Sequence, residues 1–217
     1  MRGSFIRKYF GNRSVTTIYI VRHAEKVRGD FYNPHLRHQD EPITANGKLE
    51  SEKLWLYFSD KPVSAIYISE YLRTVQTAAH LAGQLGLTPI VDKRLNEIDN
   101  GLFDGLSAEE VQEKYPNEWK AFHERKEDFR FPEGETGEEA RERIAGILDE
   151  KCLAYEDGNV IFFCHEGLIR ILMCHVMGLP VHQRGNFQVD FCGIMEITYQ
   201  TKYNKWKLIR FNQRATG

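Results

Sequence analysis

Long apolar runs, paired cysteines and an excess of charge of either sign are all lacking in this sequence of 217 residues. No apolar stretch reaches the roughly 18 residues that a membrane-spanning helix needs, so the sequence predicts no membrane partner. The 29 Lys and Arg residues nearly balance the 31 Asp and Glu residues, and the resulting net charge of −2 argues against a nucleic-acid partner. With 41% apolar residues, the composition also argues against intrinsic disorder.

The four cysteines form no metal-binding or redox motif. They stand at positions 152, 164, 174 and 192, and no two of them make a Cys-x-x-Cys pair. This spacing gives no support to a zinc ribbon or a thioredoxin-like motif. Cys164 and Cys174 lie in apolar runs, where cysteine behaves as a small buried hydrophobe. We therefore expect a reducing, cytoplasmic location.

The first residues of the chain are basic. They include Arg2, Arg7, Lys8 and Arg13, but no apolar core or small-residue cleavage site of a secretory signal follows. The sequence predicts a loosely ordered extension over residues 1–15 and a single domain over residues 16–217.

Short apolar runs alternate with helical patterns along this domain. Residues 16–21, 65–68 and 160–164 are continuously apolar, which is typical of parallel strands buried on both faces. Helical periodicity occurs over residues 75–85 and 140–148, and residues 168–177 are apolar nearly all round. Two later segments, 195–199 and 206–210, alternate like half-exposed strands. The alternation predicts an α/β fold, a three-layer α/β/α sandwich with a mostly parallel sheet.

Residues 99–135 do not fit this alternation. They are polar, charged and aromatic, with several turn signals, and we interpret them as an inserted helical lid. Its aromatic residues are expected to pack between lid helices, and the alternative is that one or two of them line a substrate pocket. They are Phe103, Tyr115, Trp119, Phe122, Phe129 and Phe131.

Histidine and arginine follow the predicted buried strands. Arg22 and His23 end the first strand, Arg73 comes shortly after the second, and His165 ends the third. Ligands bind beyond the carboxyl ends of such strands, and guanidinium groups suit phosphate oxygens. His165 also precedes a buried helix, whose N-terminus attracts anions. The residues therefore predict a phosphate site that contains histidine.

The motifs at these positions resemble those of the histidine phosphatase superfamily, branch 1, which has the phosphoglycerate mutase-like fold. The similar segments are Val21-Arg22-His23-Ala24-Glu25, Pro42-Ile43-Thr44 with Gly47, Arg73-Thr74-Val75-Gln76-Thr77-Ala78, Leu95-Asn96-Glu97, Gly134-Glu135-Thr136 and Phe163-Cys164-His165-Glu166-Gly167. They occur in the family's order over about residues 16–185.

The resemblance implies a two-step phosphoryl transfer without a metal ion or other cofactor. His23 attacks phosphorus and forms a phosphohistidine, and Glu97 protonates the leaving oxygen and then activates water. Arg22, Arg73 and His165 bind the phosphoryl oxygens. The two guanidinium groups are expected to lower the pKa of His23, because they disfavour a third positive charge.

Three departures from the family pattern matter. Ala24 and Glu166 replace glycines, and we expect Glu166 to point away from the anion site, with a role as the alternative acid left open. The stretch after the first motif carries Lys26 and Arg28 where mutases carry Trp-Asn, which favours hydrolysis over mutase activity. Arg28 is a further candidate for phosphate binding.

The leading hypothesis is a metal-independent phosphatase that hydrolyses small phosphomonoesters through His23. The alternatives are a phosphoglycerate mutase-type phosphotransferase and a catalytically inactive phospholigand-binding protein. The long insertion favours a small-molecule substrate over a phosphoprotein. The sequence does not identify that substrate or the oligomeric state.

Overall fold

A mixed sheet of six strands runs through the computed structural model, which describes residues 15–215. Its strands are β1 (Val15–Arg22), β4 (Val63–Ile68), β5 (Ile90–Val91), β6 (Asn159–Cys164), β7 (Ile194–Gln200) and β8 (Lys205–Gln213). Two short strands, β2 (Tyr32–Asn33) and β3 (His38–Gln39), form a separate pair. The order in the sheet is β5-β4-β6-β1-β7-β8. Strands β5, β4, β6 and β1 are parallel to one another. Strand β7 runs antiparallel to β1, and β8 runs antiparallel to β7. The sheet is therefore mostly parallel, as predicted.

Seven α-helices within the described residues connect these strands. They are α1 (Ala45–Glu52), α2 (Leu54–Phe58), α3 (Leu72–Leu85), α4 (Ala108–Lys114), α5 (Pro116–Glu124), α6 (Gly137–Ala154) and α7 (Glu166–Met177). Short 3₁₀ turns occur at Lys93–Leu95, Gly101–Phe103, Val181–Asn186 and Thr201–Tyr203. The ends of the helices follow the sequence signals. Thr136 and Glu139 form the capping box that starts α6, and Gly86 ends α3 in the left-handed conformation with φ 66°.

Alternate residues of the buried strands enter two separate cores. On β1, Ile18 and Ile20 pack with residues of α6 and α7, such as Ile144 and Leu172. Their neighbours Tyr19 and Val21 pack on the other face with residues of α2 and α3. Since one strand feeds both cores, helices cover both faces of the sheet. The predicted three-layer α/β/α sandwich is confirmed.

The insertion over residues 99–135 contains α4 and α5. Its phenylalanine rings pack against one another: the ring centres of Phe103 and Phe131 lie 5.6 Å apart, and those of Phe129 and Phe131 lie 5.2 Å apart. Phe131 is buried, and Phe122 lies 5.5 Å from it. The segment is thus partly helical, and its aromatic rings extend the core on the α6–α7 side of the sheet. Its action as a lid stays a prediction.

The proposed extension before the domain lies almost wholly outside the described residues. Only Val15 is described, and it belongs to β1, where its N–H donates to Asp157 Oδ1 at 2.9 Å.

Candidate active site

The carboxyl ends of β1, β4 and β6 meet at one edge of the sheet, and a cavity of about 180 Å³ opens there. The backbone N–H of His23 donates to the Cys164 carbonyl at 2.9 Å, which ties the end of β1 to the end of β6. The N–H of Ser69, after β4, donates to the Phe163 carbonyl. The cavity is lined by Arg22, His23, Lys26, His38, Gln39, Tyr71, Arg73, Glu97, Ile98, Asn100, Asp104 and Glu166.

His23 is held with one ring nitrogen engaged. Its Nδ1 lies 2.8 Å from the Ala24 carbonyl oxygen, and a carbonyl only accepts, so Nδ1 carries the proton and Nε2 keeps its lone pair. Burial, followed by the charge of Arg73, holds the pKa of His23 well below its usual value of 6.5. The predicted direction is confirmed, but burial contributes more than the guanidinium groups. The ring is therefore neutral at neutral pH, with a lone pair on Nε2.

His165 lies next to His23, with ring centres 5.3 Å apart. Its Nδ1 accepts from Arg73 Nε at 3.3 Å, and its Nε2 donates to Ser69 Oγ at 2.9 Å. His165 is fully buried, and burial together with Arg73 holds its pKa well below 6.5. The hydroxyl of Ser69, directly after β4, thus fixes the plane of this ring.

Residues at the start of α3 support the loop that carries His23. Arg73 is buried in the first turn of α3, with its guanidinium carbon 4.1 Å from the centre of the Tyr71 ring. Four residues later Thr77 donates to the Arg73 carbonyl at 2.6 Å and accepts from the Ala24 N–H at 2.9 Å. The helix therefore positions the loop that carries His23.

Arg22 reaches the cavity from the end of β1. Its Nη1 donates to the Val189 carbonyl at 2.5 Å, and its guanidinium carbon lies 4.1 Å from the centre of the Phe191 ring. Its Nε is buried and has no hydrogen-bond partner among residues 15–215. A buried donor without a partner is costly, and the guanidinium to which it belongs lines the cavity.

Glu97 accepts hydrogen bonds at the N-terminus of α7. The N–H groups of Gly167 and Leu168 donate to its carboxylate at 3.1 Å and 3.0 Å, and that of Ile98 donates at 2.9 Å. Gly167 permits this approach, because a Cβ there would lie 2.7 Å from Glu97 Oε1. The structure thus brings Glu97 to the cavity that His23 lines, whereas His165 lies behind this lining and is fully buried.

Two expectations about the surrounding charges are wrong. Glu166 does not point away: its Oε2 lies 2.7 Å from Arg22 Nη2, and its Oε1 pairs with Arg170. The attraction of two guanidinium groups holds this carboxylate at the cavity. Arg28 does not reach the cavity; it is exposed. Lys26 lines the cavity instead of Arg28. Its backbone pairs with that of Ile43, and its ammonium lies 2.6 Å from Glu41 Oε1, and these two contacts hold it there.

Sequence reasoning also missed residues from two loops. His38 lies on the β2–β3 pair, and its Nδ1 lies 3.2 Å from Asp104 Oδ2. This hydrogen bond raises the pKa of His38. The pKa of Asp104 lies below its usual range, because burial, which raises it, is outweighed by hydrogen bonds that include the one to His38. Gln39 and Asn100 complete the rim. The loops have no periodic pattern, and the only signal is the density of polar residues.

No group of three or more His, Cys, Asp or Glu side chains within residues 15–215 is arranged to hold a metal ion. In the same part of the chain, no helix has both the length and the apolar character for crossing a membrane.

A neutral buried histidine beside two arginines, a second histidine and a carboxylate at a helix N-terminus defines a site for phosphoryl transfer. The model of the histidine phosphatase superfamily (branch 1) matches residues 18–214, and the chain belongs to this family.

The names of similar proteins give different phosphorylated substrates. Phosphoserine phosphatase 1 of Hydrogenobacter thermophilus is 28% identical over 190 residues, which cover 86% of this chain and 88% of that protein. The 6-phosphofructo-2-kinase/fructose-2,6-bisphosphatase 1 of Bos taurus is 31% identical over 176 residues, which cover 78% of this chain and 35% of that protein. The solved structure of a mycobacterial glucosyl-3-phosphoglycerate phosphatase matches with a TM-score of 0.78 at 19% identity, covering 91% of this chain and 99% of that one. This likeness confirms the fold.

Proposed function

We propose that the chain is a metal-independent phosphatase that hydrolyses small phosphomonoesters through a phosphohistidine on His23. The enzyme class, a phosphatase of this superfamily, is confirmed by the family match and by phosphatases among the relatives. The roles of the residues are our proposal. The observation that carries it is the hydrogen bond from His23 Nδ1 to the Ala24 carbonyl, which leaves Nε2 free in a ring kept neutral by burial.

In the first step, the lone pair of His23 Nε2 attacks phosphorus and the bond from phosphorus to the ester oxygen breaks. Glu97 gives its proton to that leaving oxygen. In the second step, water attacks the phosphohistidine, the carboxylate of Glu97 takes the proton of the water, and the bond from Nε2 to phosphorus breaks. Inorganic phosphate leaves, and His23 and Glu97 return to their starting states.

Three groups neutralise the charge of the phosphoryl oxygens. Arg22 and Arg73 offer the guanidinium groups with which they line the cavity, and Arg73 Nε now donates to His165. His165 Nδ1 is an acceptor in this structure, so it needs a proton before it can donate to a phosphoryl oxygen. A bound phosphate favours that proton by its negative charge, and a phosphate monoanion can deliver it.

We assign the acid to Glu97 rather than Glu166. Both oxygens of Glu166 are engaged by guanidinium groups, those of Arg22 and Arg170. A proton on Glu166 would break one of these pairs. The carboxylate of Glu97 has only backbone N–H donors, and it lies at the helix N-terminus beside His165.

Two further parts of the proposal concern the surroundings. The substrate is a small molecule, since the named relatives act on small phosphorylated compounds. A reducing, cytoplasmic location fits the four cysteines, which are all buried free thiols.

The test is hydrolysis of p-nitrophenyl phosphate in EDTA by the wild-type chain, His23→Ala and His80→Ala. His80 is an exposed histidine on α3 and serves as the matched control. We expect His23→Ala to lower kcat by roughly a thousandfold or more, and His80→Ala to behave as wild type. Rapid quenching with labelled substrate should trap an acid-labile phosphoryl group that is absent from His23→Ala.

Three results would contradict the proposal. Turnover abolished by EDTA would overturn metal independence. Phosphoryl exchange between phosphoglycerates without release of inorganic phosphate would favour the mutase. Binding of phosphate with no turnover across a broad panel of phosphoesters would favour a protein that has lost catalysis.

A further inference from the structure

A second cavity of about 200 Å³ adjoins the phosphate cavity. The two share Glu97, Ile98, Asn100 and Glu166 as lining residues, so they lie side by side. The second cavity is also lined by two phenylalanines and three arginines, namely Phe122, Phe131, Arg125, Arg170 and Arg184. It therefore combines positive charge with an apolar surface beside the predicted acid.

The three arginines differ in how their charge is compensated. Arg184 pairs with Asp128 at 3.4 Å, and Arg170 pairs with Glu166. Arg125 has no carboxylate partner among residues 15–215; its guanidinium carbon lies 5.2 Å from the centre of the Phe122 ring. Burial and the like charges of Arg184 and Arg170 lower the pKa of Arg125. Among the three arginines of this cavity, Arg125 is thus the one without an ion pair in the described part of the chain.

Arg125 is also held in a defined place. It ends α5 in the left-handed conformation, with φ 46°. Its Nη1 occupies the space next to Gly185, where a Cβ would lie only 1.8 Å away. A residue with any side chain at position 185 would displace this guanidinium. The absence of a side chain there is what allows the charge to lie between α5 and the turn Val181–Asn186.

We infer that Arg125, supported by Arg170 and Arg184, binds a second anionic group on the substrate, so that the preferred substrates are phosphomonoesters whose leaving group carries a carboxylate or a second phosphate. The phosphoryl group occupies the cavity of His23, and the carbon skeleton passes Ile98 and the rings of Phe122 and Phe131. This inference rests on the proposed phosphatase function, since it places the leaving group on the side of Glu97.

The test uses pairs of ligands that differ in one anionic group. Glycerol 3-phosphate and 3-phosphoglycerate differ by a carboxylate, and fructose 6-phosphate and fructose 1,6-bisphosphate differ by a phosphate. Each is measured as a competitive inhibitor of p-nitrophenyl phosphate hydrolysis. We expect the more anionic member of at least one pair to bind about tenfold more tightly, as for a charge-assisted hydrogen bond. The pair with the larger ratio identifies the anion.

The variants test whether Arg125 causes the preference. Arg125→Gln should bring the ratio of inhibition constants close to one, Arg125→Lys should retain part of it, and Gly185→Ala should reduce it by displacing the guanidinium. Lys126→Gln is the matched control, because Lys126 is exposed and pairs with Glu124 at 3.0 Å outside the cavity. Circular dichroism melting curves check that each variant is folded.

Ratios near one for both pairs in the wild-type chain would overturn the inference, as would a preference that survives Arg125→Gln. Failure of the proposed function gives a different result, namely no hydrolysis of p-nitrophenyl phosphate at all. In that case calorimetric titration of the same ligand pairs measures the Arg125 effect without catalysis.

Discussion

Gly167→Ala should displace the carboxylate of the proposed acid, Glu97, while leaving that residue in the sequence. Gly167 lies in the first turn of α7, and its N–H donates to Glu97 Oε2 at 3.1 Å. A methyl group there would lie 2.7 Å from Glu97 Oε1 and 2.9 Å from Ile98 Cδ1, whereas ordinary contacts begin at 3.4 Å. The carboxylate must therefore move by about 0.7 Å. A displacement of this order at a reacting group costs roughly tenfold to hundredfold in rate.

The assay compares two leaving groups. An alkyl phosphate such as glycerol 3-phosphate needs protonation as its bond to phosphorus breaks, whereas p-nitrophenolate leaves as an anion. Gly167→Ala should lower kcat for the alkyl ester by roughly ten- to a hundredfold and for p-nitrophenyl phosphate much less. Gly146→Ala on α6 is the matched control, because a Cβ there meets no atom within 4 Å. Equal losses on both substrates, or no loss on the alkyl ester, would refute Glu97 as the acid.

Two further predictions follow from the charges of the site. In nitrogen NMR spectra of the free protein, the His23 ring should remain neutral with its proton on Nδ1 as the pH falls through 6.5, because its pKa lies well below that value; a midpoint at or above 6.5 would contradict the burial argument. Glu166→Gln should strengthen inhibition by inorganic phosphate several-fold by releasing Arg22, whereas Glu97→Gln should lower kcat for the alkyl ester roughly a hundredfold or more. If the larger loss of kcat occurred in Glu166→Gln instead, the two carboxylates would have to exchange roles.

The sequence predicted the site best where a polar residue directly follows a buried strand. Continuous apolar runs end at His23 and His165, and parallel neighbours bring such ends together, so the core of the site was predictable. The pairing of β6 with both β1 and β4 then places Arg73 beside His165. Here local pattern and sheet topology agree.

The same reasoning failed where side chains depend on distant neighbours. Glu166 was expected to avoid an anion site, but Arg22 and Arg170 attract it from both sides. His38 reaches the cavity only because a two-residue strand pairs with another and Asp104 bonds to it across 66 positions of sequence. Neither effect leaves a periodic signal in the chain.

The position of β6 has a consequence for how the enzyme is made. This strand comes late in the chain, over Asn159–Cys164, yet it lies between β4 and β1 and separates them. β1 and β4 do not pair with each other, so during synthesis they cannot join in one sheet until β6 leaves the ribosome. The same event delivers His165 to His23. The parallel part of the sheet and the approach of the two histidines therefore arise together, and a nascent chain that stops before β6 has neither.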